Sequence, residues 1–325
     1  MQTTPLLRAF GAALALGVAA LAAVPAQAAA PMLKKSAPGY YRIMLGDFEV
    51  TALSDGTFKA PVDKLMLHTT PAEVDAALAK DFLSSPIDMS ITGYLVNTGN
   101  KLVLIDTGLG KFDKGLGPGA HHLLANLKAS GYKPEQVDEV YITHLHVDHA
   151  GGLLENGKAA YPKAIVRVDA ADAAQWVAKD SAEKLPEGFR FMAAEDQEAL
   201  APYIKAGHFK TFDGATELVP GISSVPTPGH TKGHTVYAVE SKGQKLLIIG
   251  DLLHLPAMQF DNPDITIGFD SDDQAAATQR KLIFADAAAK GTLIGAAHIS
   301  FPGLGHIRAE GKGYVWVPVN YAPIY

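Results

Sequence analysis

Cysteine is absent from the 325 residues. That removes disulfides, thiolate nucleophiles and cysteine metal ligands together, so any metal must be held by His, Asp or Glu. Basic residues are scarce: Lys+Arg number 28 against 34 Asp+Glu, a formal charge of -6, with no basic block anywhere. Such a chain has no electrostatic footprint for nucleic acid, which is excluded as an expected partner. Beyond the N-terminus no run of 18 apolar residues occurs, so no transmembrane helix is expected. Low complexity is missing too, because 31 Gly and 20 Pro are scattered without period. What is present is ordinary globular composition, 48% hydrophobic and 8% aromatic, too apolar for wholesale disorder.

The N-terminus has a different character. Arg8 is followed by an apolar stretch from Ala9 to Val24 and then Pro25-Ala26-Gln27-Ala28, an A-x-A pattern. A charged start, a short apolar run and a small-residue cleavage site make a secretory signal peptide. The expectation is a signal peptide over 1–28, cleaved after Ala28 or Ala30, then a flexible segment over 29–39 and one domain over 40–325. The mature protein would be periplasmic or secreted, without stable membrane insertion.

Along that domain the apolar pattern alternates between strands and helices. Phe48 to Leu53 reads as a strand stopped by Asp55-Gly56. Residues 93–106 read as a hairpin turning at Gly99-Asn100, and 234–250 as a second hairpin turning at Lys242-Gly243. Each second strand is apolar and leads into an aspartate, Asp106 or Asp251. Val140 to Thr143 and Ile165 to Val168 predict short strands, the latter followed by a helix through Trp176. Helices are expected over 121–130 and 273–289, loops near 113–119 and 181–190, and a strand from Thr292 leading into His298. The paired hairpins suggest two similar β-rich halves with helices outside, an α/β fold of two sheets packed face to face.

The chemistry concentrates in His144-Leu145-His146-Val147-Asp148-His149, directly after a predicted strand. In a loop, His144 and His146 would point one way and Asp148 and His149 another. Four ligand-type side chains facing two ways suggest two divalent ions. Distant residues must complete the set. Asp251 ends an apolar strand, where a charge is costly unless it is paired or binds metal. His230 lies in Pro228-Gly229-His230-Thr231, and His298 ends the last predicted strand. Two ions close together can share a hydroxide as nucleophile, so no activated serine is needed.

HxHxDH, a later PGHTxGH, a Gly-Asp after a strand and a final Ala-His together resemble the metallo-β-lactamase-fold hydrolases. Residues 37–42, 45–49, 92–99 and 301–308 resemble, within that family, the secreted methyl parathion hydrolase group and its dihydrocoumarin-type lactonase relatives. The resemblance implies an αββα sandwich of two pseudo-symmetric halves. It implies one ion on His144, His146 and His230, a second on Asp148, His149 and His298, and Asp251 bridging them. Asp106, Thr143 and His234 would stand behind these ligands and orient them. Zinc is the first expectation, with Mn, Co or Fe accepting the same donors. Proteins resembled in this way are often dimers, which raises a homodimer.

No obvious lysine or arginine sits among the motif residues, which favours small neutral substrates: lactones, esters or phosphotriesters. Trp176, Phe191, Met66, Leu67, Phe260, Ile267 and Phe269 are the candidate pocket walls. His254 departs from the parathion hydrolase pattern, which is apolar there. It would hydrogen-bond a lactone oxygen or protonate a leaving alkoxide while narrowing the space for a phosphotriester. The expected function is therefore lactone or aryl ester hydrolysis, with Asp148, Asp251 and His254 catalytic and phosphotriester hydrolysis secondary. Other readings are primary phosphotriester hydrolysis, thioester or β-lactam hydrolysis, an iron redox protein, and a zinc-binding module without catalysis.

Overall fold

In Leu102-Val103-Leu104-Ile105 every side chain is buried, Leu102 and Leu104 in one cluster, Val103 and Ile105 in another. A strand buried on both faces needs cover on both, and that requirement sets the layers of this molecule. A computed structural model describes residues 30–112 and 119–324. The expected signal segment lies outside the described residues, as does most of the loop expected near 113–119. The chain divides at Ala37; residues 30–37 carry no helix or strand, and the unit described below begins at Pro38.

Its first sheet contains β1 (Tyr40–Leu45), β2 (Phe48–Ala60), β3 (Ile87–Asn97), β4 (Leu102–Ile105), β5 (Glu139–Tyr141), β6 (Ile165–Asp169) and β7 (Phe209–Phe212). Its second contains β8 (Glu217–Val219), β9 (Ile222–Pro226), β10 (Thr235–Ser241), β11 (Gln244–Ile248), β12 (Leu293–Gly295), β13 (Leu304–Glu310) and β14 (Gly313–Pro318). In both, neighbours in space are neighbours in this series. Each sheet has a central antiparallel hairpin, β3–β4 or β10–β11, whose second strand pairs in parallel with the next, β5 or β12. This is the repeat that the two similar hairpins suggest.

The sheets meet through Val103, Ile105 and Tyr141 on one side and Tyr237, Leu246 and Ile248 on the other. Helices cover the outer faces. Leu102, Leu104 and Val166 pack under α1 (Leu123–Ala129), α3 (Ala170–Trp176) and α4 (Arg190–Ala206), the short α2 (Val147–Ala150) lying between; Val236, Leu247 and Ile294 pack under α5 (Asp273–Lys290). The result is the αββα sandwich. Among the described residues no helix is long and apolar enough to cross a membrane.

Two expectations are corrected. β2 does not stop at Asp55-Gly56 but runs to Ala60, because the extra residue is absorbed as a bulge: Ser54 faces Thr92 while Gly56 already faces Ile91. The bulged Asp55 turns inward and accepts from the backbone N–H of Leu109 (2.9 Å) and Leu123 (2.8 Å). The segment over 181–190 is not plain loop; it holds helical turns at Ser181–Lys184 and Glu187–Phe189 and opens the 17-residue α4.

Candidate metal centre

The carboxyl ends of the parallel strands all open on one rim, where ligands of open α/β sheets gather. β4 delivers Asp106, β5 the His144–His149 loop, β11 Asp251 and β12 His298. His144 and His146 precede the helical turn α2, and Asp148 and His149 ride on it. Gly250 is required before Asp251: its φ is +48°, and a Cβ there would meet His234 Nε2 at 2.9 Å and Thr143 at 3.0 Å.

Ligand atoms of His144, His146, His230 and Asp251 lie within 4.8 Å of one another; so do those of Asp148, His149 and His298, and those of Asp251, His254 and His298. Asp251 joins the groups. Its Oδ2 faces His230 Nε2 (3.2 Å), His144 Nε2 (3.6 Å) and His254 Nε2 (2.9 Å), while Oδ1 faces His149 Nε2 (3.0 Å) and His298 Nε2 (3.1 Å). Among the described residues, His144 Nε2, His149 Nε2 and Asp251 Oδ1 are buried without a well-formed hydrogen bond. Buried polar atoms normally have one. Orphaned nitrogen and oxygen donors converging on common points, with no sulfur among them, fit divalent ions.

The outward-facing ring atoms are committed. His149 Nδ1 pairs with Asp106 Oδ2 (2.8 Å), and Asp106 also accepts from Thr143 N (2.8 Å) and Oγ1 (2.9 Å). Asp106 keeps that aim in a left-handed conformation, φ +59°, uncommon outside glycine. His230 Nδ1 pairs with Asp270 Oδ1 (2.7 Å), and His298 Nδ1 donates to the Ser90 carbonyl (2.7 Å). His234 sits behind the bridge, its Nε2 accepting from Asp251 N (3.1 Å) and its Nδ1 beside Thr227 Oγ1 (2.8 Å). Asp106, Thr143 and His234 thus all support the residues expected to hold metal.

Burial pushes His144 and His146 well below the ordinary imidazole value, which keeps them neutral with a lone pair to give. Burial opposes charge at His230 as well, but Asp251 and Asp270 outweigh it and push the ring up to about 9. Burial likewise opposes charge at Asp251, yet His149, His298 and His144 hold its carboxyl well below the usual range. Anionic carboxylates so deeply buried call for cations beside them.

Beside the centre lies a pocket of about 230 Å³. Phe191 and Phe269 line it, as do His254, Asp148, Asp251 and His298. The other expected walls do not. Met66 and Ile267 are buried beneath α-helical residues in a peripheral cluster, Phe260 packs on Phe284 and Trp316, and Leu67 is exposed on the short ladder pairing with Thr266. Trp176 is 1% exposed and packs edge-on against His146 (5.1 Å between ring centres), behind the ligand and outside this pocket. Phe58, Met89, Phe112 and Met192 supply the wall instead. They come from distant elements, and no local pattern marks them.

Sequence reasoning also passed over Asp172. Its Oδ2 accepts from Leu145 N and its Oδ1 from Gly233 N, each at 2.7 Å, so one buried carboxyl stitches the two histidine loops together. Burial raises it to about 6. The available signal was an acid on the buried face of a predicted helix. Lys232 was passed over as well, although it occupies the open position of PGHTxGH; it is exposed and does not line the metal pocket.

Comparison with known proteins agrees with this geometry. The solved structure of the hydrolase AbOPH in the beta lactamase superfamily matches with TM-score 0.82 and 37% identity, over 89% of this chain and 100% of that one. AidC, a dizinc quorum-quenching lactonase solved with a product, matches with TM-score 0.79 and 27% identity over 88% and 99%. An N-acyl homoserine lactonase of Bacillus sp. is 28% identical over 202 residues, 57% of this chain and 72% of that protein. The profile of the metallo-beta-lactamase superfamily matches residues 88–298, and with that the paired histidine–aspartate clusters have their explanation: this chain is a metal-dependent hydrolase and belongs to the metallo-beta-lactamase superfamily.

Proposed function

We propose that this protein is a dizinc hydrolase of lactones and aryl esters, with phosphotriesters of the methyl parathion kind as secondary substrates. The carrying observation is the pocket. Phe58, Met89, Phe112, Phe191 and Phe269 face the ligand cluster, and among the described residues no lysine or arginine lines the space. Such walls suit a neutral acyl or aryl group and offer nothing to a substrate anion. The names of the Bacillus and AidC relatives, both lactonases, support the same substrate class.

In this reading His144, His146 and His230 would hold one ion and Asp148, His149 and His298 the other, with Asp251 available to both. Zinc suits nitrogen and carboxylate donors, and AidC is a dizinc protein. Two such ions would supply a water-derived nucleophile at neutral pH and Lewis acidity at the scissile oxygen. The chain does the rest. Asp148, the least buried carboxylate of the cluster, accepts a proton from the attacking water at the pocket floor. His254 Nε2 donates to Asp251 Oδ2, and among the described residues its Nδ1 has no partner; in the imidazolium form that Nδ1–H would hydrogen-bond the substrate oxygen or pass its proton to the departing alkoxide. The A-x-A leader supports export, so we assign the mature chain to the periplasm or the medium.

The test is kcat/KM of the zinc-reconstituted mature chain on one lactone, one aryl ester and one methyl phosphotriester. The lactone or the aryl ester should lead. A leading phosphotriester would reverse the order of substrates, and a rate indifferent to chelation would end the hydrolytic reading of this centre.

A further inference from the structure

A second cleft lies behind the metal centre. It measures about 600 Å³ and is bounded by α3, the 184–189 turns and the Phe269–Ser271 turn. Its wall is shared with the centre at three points. Trp176 packs on His146, Asp270 holds His230 Nδ1, and Phe269 lines both spaces. Apolar surface comes from Trp176, Leu185, Pro186, Phe189 and Phe269, but two lysines stand there also, Lys184 and Lys232. Two polar atoms at this wall, Trp176 Nε1 and Gln175 Oε1, are buried with no hydrogen-bond partner among the described residues. The opposing charges are accounted for. Asp270 is spent on His230 Nδ1 and Ile267 N, and Lys184 is paired with Asp180, which leaves the exposed Lys232 as the cation available to a ligand.

We propose that this cleft binds an amphiphilic monocarboxylate, its apolar part against Pro186, Phe189 and Phe269 at the edge of Trp176 and its carboxylate on Lys232, with Lys184 nearby. An aromatic wall with a cation at one side suits that ligand, because a carboxylate on a lysine makes a stronger, charge-assisted hydrogen bond than a neutral group of equal size. The proposal rests on the hydrolase reading only for the ligand's origin, since opening a lactone or an ester releases a carboxylate. A product held here would press on the supports of His146 and His230 and so restrain the centre that made it.

Octanoate serves as the probe, titrated into the zinc-loaded mature chain and read by tryptophan fluorescence. The chain has two tryptophans, and Trp316 lies in β14 on Phe260, so Trp316→Phe leaves Trp176 as the sole reporter. Octanoate should give a saturable change, octanamide none at the same concentration, and Lys232→Met should weaken octanoate by about tenfold, as expected for loss of a charge-assisted hydrogen bond. Inhibition of aryl ester hydrolysis by octanoate should be noncompetitive. Equal binding of octanamide, or a signal lost with Trp316→Phe, would overturn the proposal. So would octanoate binding that ignores Lys232→Met and competes with substrate, since the carboxylate would then sit on the ions.

Discussion

A carboxylate has two oxygens, and Asp251 turns each toward a different set of histidines. Asn keeps the shape but replaces one oxygen by an NH2, which binds no cation. Asp251→Asn should therefore lower the bound zinc from two equivalents to about one, measured by elemental analysis of the purified protein. His254 carries the substrate choice. His254→Leu should reduce lactone kcat/KM by about 100-fold, the ordinary worth of a positioned acid, while raising phosphotriester turnover relative to lactone. An unchanged ratio of the two rates would refute its assignment. Legibility at this scale followed chemistry: His144, His146, Asp148 and His149 announce themselves because four donors in six residues have no bland explanation, and Asp251 because a charge ends an apolar strand, whereas His230 and His298 stand out from the other histidines only through the family resemblance. Met89 and Phe112 look like any core residues, so the wall they build was invisible, and Met66 and Phe260, no different in kind, were expected there wrongly.

Elements were legible where a continuous apolar or Ala-rich run is bounded by turn residues. β4, β10, β11 and α5 lie within a residue or two of the sequence expectation. α4 was missed, and its buried face shows why. Glu195 and Asp196 lie inside the stripe of Ala193, Ala199, Leu200 and Tyr203, and Pro202 sits within the helix. Acids on the inner face erase the 3.6-residue apolar period. α5 carries the inverse lesson, a fully buried arginine. Arg280 Nε donates to the Leu252 carbonyl (2.5 Å) and Nη1 to those of Pro263 (2.7 Å) and Ile265 (2.8 Å), pinning the turn that follows Asp251. Arg280→Met fills the volume but deserts these carbonyls. It should destabilise the protein by about 3 kcal/mol in urea unfolding, and it should also weaken zinc retention, since Leu252 stands between Asp251 and His254.

At the scale of the molecule the two-half architecture was readable from the matching hairpins, whereas the side-by-side order of the fourteen strands of the two large sheets was not, because it is set by long-range pairing. The order matters for stability. Four expected ligands, His144, His146, Asp148 and His149, belong to the first sheet's half, and His230, Asp251 and His298 to the second. Ions bound between them stabilise only the closed sandwich, so stripping zinc with a chelator should lower Tm by several degrees, and zinc should restore it. Calorimetry before and after chelation checks this, and an unmoved Tm would mean that the ions contribute nothing to folding.

Among the described residues no strand of one large sheet falls between strands of the other in the chain, so the backbone passes from the first sheet to the second once, between Phe212 and Glu217. A chain nicked at that passage would yield two fragments, each with an unbroken sheet. Their reunion would rest on the shared apolar seam and on zinc as a clasp, so the protein offers itself as a metal-gated split reporter.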